Sequence, residues 1–250
     1  MTRFVLVLTL LLPSSAEPLR SQAPDSTLSS EWLGRPEVAR YLEYFTGPAR
    51  DRMSSWLNRG TRYRSLIADR LDRAGLPAEF GSLPIIESGF SNSAVSRAGA
   101  VGMWQFIPET ARENGLRVDS WVDERRDPTR ATEAAVRHLG DLRRTFGGAS
   151  LLAAAAYNSG AGRVSRSLTR LGSVAPDSGS MPGDSAFFSL SANGLLPLET
   201  RNYVPQLLAA AAIVSDPARF GFAVDTAAAA AVQHLEELEH QLEGRDQIPV

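Results

Sequence analysis

From Pro36 onward, prolines and glycines cut the chain into short segments, and within each the apolar residues recur at steps of three and four. That spacing lines one face of an α-helix. No stretch of useful length alternates apolar with polar residues, as a half-buried strand would. The predicted fold is therefore all-α. "PEVARYLEYF" opens at Pro36, "ARDRMSSWLNRG" stops at Gly60, and "TRYRSLIADRLDRAG" carries Tyr63, Ile67 and Leu71 before a C-capping Gly75. A further helix is expected from Pro77, kinked at Pro84 and ended by Gly89. "GAVGMWQFIPETARENG" reads as a helix interrupted by Pro108. Asp127 and Pro128 form an N-cap and first-turn pair ahead of a stripe of Ala135, Leu139, Leu142 and Phe146. "ASLLAAAAYNSG" is a helix of small residues that lets neighbours approach closely. Residues 165–197, rich in Ser, Gly and Pro, read as a long surface loop, and "LETRNYVPQLLAAAAIV" resumes helix.

Four regions follow. Residues 1–16 have the outline of a secretory signal peptide: Arg3, the apolar run "FVLVLTLLLP", then small residues. The run is too short to span a bilayer. Residues 17–35 are expected as a flexible linker, 36–222 as one helical domain and 223–250 as a C-terminal helical tail. The chain has no Cys, which excludes disulfides, thiolate nucleophiles and lipid attachment through Cys. It has no Lys either, which excludes Schiff-base chemistry. A formal charge of -2 argues against nucleic acid as a partner. The expected product is an exported protein of the periplasm or cell envelope, monomeric and without stable membrane insertion. His138, His234 and His240 have no metal-type spacing and read as solvated helix-surface residues, so neither metal nor cofactor is expected.

One residue breaks the pattern. In "LPIIESGF", Leu76, Phe80, Leu83 and Phe90 share a helix face, and Glu87 falls on that same face. A carboxylate leaving water needs a partner, or its pKa rises and it stays protonated. It could also be a helix-terminal carboxylate that swings into solvent. Other stretches add polar groups beside rings: Gly99 and Gly102 around a turn followed by Gln105 beside Trp104 in "SRAGAVGMWQF", Tyr157 and Asn158 in "AYNSGAG", and Glu199 one turn before Tyr203 in "ETRNY". Rings with amides and hydroxyls suit a sugar groove, although Trp104 and Tyr203 each fit a core position equally well.

Taken together, "ESGF…AVSRAGAVGMWQFIPETAR…AAYNSGAGRV…LPLETRNYVP" resembles the lytic murein transglycosylases with the soluble-lytic-transglycosylase, goose-lysozyme-like domain. The lead-in "YLEYFTGPARDRMSSWLNRGTRYRSLIADRLDRAGLP" is similar to that of the membrane-bound lytic murein transglycosylase D type. The resemblance runs from about residue 36 to residue 222. It implies a lysozyme-like helical domain with a substrate groove for peptidoglycan glycan strands. It further implies that Glu87 is the sole catalytic acid, with Ser96 near the carboxylate or the sugar. Gln105, Tyr157 and Asn158 would line the site, and Glu199 and Tyr203 would close it.

Glycosidases usually need two carboxylates. Glu109, Glu113, Asp119, Asp123, Glu124 and Asp127 stand among polar neighbours and read as a solvated face. With one carboxylate, the acceptor must come from the substrate: the C6 hydroxyl of N-acetylmuramic acid, closing a 1,6-anhydro ring, as the resemblance implies. A goose-type muramidase using water and a non-catalytic peptidoglycan-binding module fit the same residues. The tail "AAVQHLEELEHQLEG" is either a partner-binding or a solvated terminal helix.

Overall fold

The computed structural model describes residues 30–174 and 183–224. The signal peptide, most of the linker and the tail from residue 225, with His234 and His240, lie outside the described residues. Eleven α-helices are present among the described residues. They are α1 (Ser30–Leu33), α2 (Pro36–Thr46), α3 (Arg50–Gly60), α4 (Arg64–Arg73), α5 (Leu83–Ser88), α6 (Pro108–Glu113), α7 (Pro128–Thr145), α8 (Ser150–Ser159), α9 (Ala161–Val174), α10 (Ser185–Ala192) and α11 (Leu198–Ser215). The all-α expectation holds, and β-structure among the described residues is limited to isolated bridges.

Helix α11 is the hub, packed against α2, α5 and α8. It is apolar almost all round, with Val204, Leu207, Leu208, Ala209, Ala210 and Ile213 buried, as a central helix must be. Helix α8 meets it through Ala153, Ala154, Ala155 and Ala156, all buried, where short side chains permit close approach. Helix α7 behaves as its stripe predicts. The Asp127 carboxylate accepts from the Arg130 backbone N–H at 2.8 Å, Pro128 begins the helix, and Ala131, Ala135, Leu139 and Leu142 face the core.

Four expectations are corrected. Pro77 opens a 3-10 turn, Ala78–Ser82, and Pro84 lies in the first turn of α5, where its missing N–H costs nothing, so there is no mid-helix kink. Residues 99–107 are not helical. They form the turn that Gly99 and Gly102 suggest, closed by bridges Val95–Val101 and Val101–Phe106, with positive φ at Gly99, Gly102 and Gln105, and helix begins only at Pro108. Residues 165–197 are not one long loop, since α9 and α10 occupy much of them. Leu171, Phe187, Phe188 and Leu190 are buried and supply core contacts that outweigh the modest helix cost of serine. Finally, the end of the 17–35 segment is helical. Trp32 is buried and stacks on Phe188 with ring centroids 5.0 Å apart, joining α1 to α10.

Candidate active site

Helix α5 delivers Glu87 in its last turn, and three contacts fix where that turn ends. Gly89 and Phe90 both take positive φ, 59° and 61°. Phe90 does so despite its side chain, a strain that persists only when the surroundings enforce it. A Cβ on Gly89 would stand 2.1 Å from Nε1 of Trp56, so the α3 indole covers the chain reversal and excludes any side chain there. Arg59 donates to the Gly89 carbonyl at 2.8 Å, and the Ser88 hydroxyl donates to the Met103 carbonyl at 2.9 Å. The last of these ties α5 to the turn that carries Gln105.

That turn is itself held from behind. The buried Arg125 guanidinium donates to the Gly99 and Phe106 carbonyls, both at 3.0 Å, while its other nitrogens engage Asp123. Trp104 is fully buried, its indole N–H donating to Thr132 at 3.1 Å. The Ser96 hydroxyl accepts from the Ala100 N–H at 3.0 Å, and the Gln105 side-chain amide donates to the Gly102 carbonyl at 2.7 Å.

The result is a cleft of about 920 Å³ whose walls include Glu87, Ser96, Gln105, Tyr157, Asn158 and Glu199. Six of the seven residues singled out in the sequence thus meet on one concave surface. The seventh, Tyr203, reaches the carboxylate directly, its hydroxyl donating to Glu87 Oε1 at 2.5 Å. The Tyr157 hydroxyl donates to the Trp104 carbonyl at 2.7 Å. Asn158 braces the far wall, donating to Glu199 at 3.2 Å and accepting from Thr200 at 2.8 Å.

Glu87 is half-buried, open to the cleft on one side and crowded on the others. Burial pushes its carboxyl pKa up to about 7; the Tyr203 hydrogen bond works against this, and the charge of Glu199 adds to it. Burial, reinforced by the Glu87 charge, raises both Tyr157 and Tyr203 well above the ordinary tyrosine value, so each stays a neutral hydroxyl. A carboxyl half-protonated near neutral pH, held by neutral donors, can both give and take a proton. Replacing Tyr203 with Phe removes the one contact that lowers this pKa. In a pH titration of that variant the Glu87 carboxyl should therefore lose its proton at higher pH than in the parent chain; an unmoved midpoint would mean that Tyr203 does not tune the acid.

Several residues here were not legible as site residues. His138, expected on a solvated surface, is half-buried on the cleft wall, 5.5 Å from Tyr157 between ring centroids. Burial lowers its pKa, with Asp141 opposing, which keeps it neutral at pH 7. Glu113 is exposed, as expected, but the solvent it faces is that of the cleft. Asp123 is not simply solvated either: its ion pair with Arg125 holds its carboxyl below the usual range. Among the described residues no group of three His, Asp or Glu could hold a metal, and no helix is long and apolar enough to cross a membrane.

Fold and cleft together define a lysozyme-like helical domain with a single proton-holding carboxyl at its floor. Comparison with known proteins narrows the class. A family model described as "Transglycosylase SLT domain" matches residues 66–177. Over 169 residues the chain is 38% identical to "Membrane-bound lytic murein transglycosylase D" of Escherichia coli, an alignment covering 67% of this chain and 35% of that protein. It is 46% identical over 79 residues to "Peptidoglycan transglycosylase gp16" of Escherichia phage T7, covering 31% of this chain and 6% of that one. The chain thus spans about a third of the first relative and a small part of the second. Among solved structures, the 70 kDa soluble lytic transglycosylase of Escherichia coli shares the fold, with TM-score 0.50 and 20% identity over 79% of this chain and 38% of that one.

Proposed function

We propose that the chain is a peptidoglycan lytic transglycosylase, cleaving the β-1,4 bond between N-acetylmuramic acid and N-acetylglucosamine and leaving a 1,6-anhydromuramoyl end. The observation that carries this is Glu87: a carboxyl with pKa near 7, open to the cleft and hydrogen-bonded by a neutral tyrosine. Glu87 enters the reaction protonated. It gives its proton to the glycosidic oxygen as the bond to C1 of the muramoyl residue breaks and positive charge develops there. The carboxylate left behind takes the proton of that residue's own C6 hydroxyl while its oxygen bonds to C1. One bond breaks, one forms, and Glu87 ends protonated without water being consumed.

The remaining residues act around that transfer. Tyr203 orients the carboxyl without adding charge. Tyr157, with its proton committed to the Trp104 carbonyl, offers an acceptor lone pair to a sugar hydroxyl. Ser96, Gln105 and Asn158 supply further polar contacts along the strand. Glu199 adds its charge to the burial that keeps the carboxyl protonated, and braces Asn158. Action on peptidoglycan would place the protein in the cell envelope.

Glu199 also favours a second reading. A second carboxylate lining the cleft could activate water, making the enzyme a muramidase that hydrolyses the same bond. Mass spectrometry of digested peptidoglycan separates the two. Anhydro ends, lighter by one water than hydrolysed ends, are expected; reducing muramic ends alone would establish hydrolysis instead.

A further inference from the structure

Trp121 is 89% exposed, the most exposed of the large apolar side chains described, whereas Trp32 and Trp104 are buried. A single apolar residue in water signifies little by itself. What sets this one apart is how firmly the chain beneath it is held. Residues 117–124 form a short hairpin closed by the Val118–Asp123 bridge. The Asp119 N–H donates to the Val122 carbonyl and the Glu124 N–H to the Arg117 carbonyl, both at 2.9 Å. At the tip the Asp119 carboxylate accepts from the Arg117 guanidinium at 2.6 Å and from the backbone N–H groups of Trp121 and Val122 at 2.8 and 2.9 Å. The Arg117 contact first, and the two N–H groups after it, hold the carboxyl down at about 2, so this clasp stays ionised near neutral pH.

The hairpin is fastened to a wall of the cleft. Ile107, Thr110 and Glu113, at steps of three, line the cleft along α6. Arg112, one position before Glu113, donates to the Val118 carbonyl at 3.2 and 2.9 Å and so fixes the hairpin beside the last turn of that helix. The chain from Glu113 to Trp121 could span at most about 29 Å even if fully extended. A polymer longer than the cleft that follows α6 outward therefore comes within reach of the indole.

The chemistry at the tip selects among polymers. The hairpin carries three carboxylates, Asp119, Asp123 and Glu124, against one arginine, Arg117, which disfavours a polyanion or an anionic lipid surface. A neutral sugar meets no such penalty. Its C–H face can lie on the indole ring, as apolar groups do on aromatic walls. An ionised carboxylate has about four acceptor sites, and the three contacts at Asp119 leave room for a sugar hydroxyl beside the ring.

We propose that Trp121 and Asp119 form an accessory sugar platform outside the cleft, on which an N-acetylglucosamine of a long glycan strand stacks while the bond at Glu87 is cut. The inference rests on the function proposed above and adds to it a preference for long strands.

The test measures binding rather than turnover, using the Glu87→Gln protein and peptide-free glycan strands sorted by length. Strands that extend beyond the cleft should bind about tenfold tighter than those that only fill it, the order expected from covering part of one ring face. They should also shift the tryptophan fluorescence to the blue, since an exposed indole leaves water. Trp121→Ala should abolish both the gain and the shift and leave the affinity for short strands unchanged. Trp121→Tyr should restore part of the gain, and Asp119→Ala, which opens the clasp but keeps the ring, should reduce it. Affinity independent of length, or an equal loss on short and long strands in Trp121→Ala, would overturn the platform while leaving the proposed function standing. A blue shift with anionic phospholipid vesicles but none with long strands would overturn it too, making the hairpin a membrane contact. Failure of strands of every length to bind would overturn the function as well.

Discussion

Glu87→Gln should abolish turnover and, above neutral pH, raise the melting temperature. A positioned general acid or base typically contributes 10²–10⁴-fold, and Glu87 fills both roles, so a loss of about 10⁴-fold in kcat is expected. The stability gain comes from the same burial. The carboxyl titrates at about 7 in the folded chain against 4.5 for an ordinary glutamate. Below pH 4.5 it is protonated whether the chain is folded or not. As pH rises through 7 the unfolded chain has already released the proton while the folded one still holds it, so stability falls and levels off above the folded value. The gap corresponds to about 3 kcal/mol at 1.36 kcal/mol per pH unit, reduced to about 2 because part of the carboxyl faces the open cleft. An amide carries no charge and can still accept from Tyr203. At pH 8.5 the variant should therefore melt about 4–8 °C higher, while at pH 4.5 the two should nearly coincide. Calorimetry at both pH values checks this; parallel melting curves across the range would show that the carboxyl is not held protonated by its surroundings.

Why a carboxylate on an apolar face signals a site is a matter of local physics. In "LPIIES" Glu87 follows Leu83, Pro84 and Ile85, all buried, so its anomaly is visible in the sequence, although Leu76, Phe80 and Phe90 do not share α5 with it. Helix caps are equally local, and Asp127 with Pro128 behaves as its residue types require. What escaped the sequence depends on contacts between distant residues. The 99–107 turn has helix-compatible side chains, and it is kept from helix by Arg125, some twenty positions on, and by Ser88 before it. Arg125 stands in "DERRD", a charged run indistinguishable from a solvated face until Asp123 and two carbonyls are seen to take it in. His138 has the same difficulty. On α7 it is one polar residue among arginines, and only the arrival of Phe106 and Tyr157 from other elements makes it part of a cleft. The helices in 165–197 were hidden by composition, because serine and glycine dominate while Leu171, Phe187 and Phe188 supply the packing.

The dependence of the site on that one turn can be measured at two glycines three positions apart. Gly99 and Gly102 have nearly the same positive φ, 78° and 82°. A Cβ at Gly99 would meet nothing within 4 Å, so Gly99→Ala carries only the backbone strain of a left-handed conformation, about 1 kcal/mol. A Cβ at Gly102 would lie 1.9 Å from the Arg125 carbonyl oxygen, a backbone atom that cannot swing aside. Gly102→Ala must therefore push the turn away from residues 125–126. That movement breaks the Arg125 contacts and shifts Gln105, whose side chain is bonded to the Gly102 carbonyl. A loss of about 3–4 kcal/mol is expected, lowering the melting temperature by about 6–16 °C, together with loss of activity at temperatures where the variant is still folded. Gly99→Ala should melt within about 4 °C of wild type and keep most of its activity. Because backbone strain is common to both, the difference between the variants isolates the contact with Arg125. Equal losses at the two positions would mean that the turn is shaped by glycine flexibility alone, and that Arg125 does not set the position of Gln105.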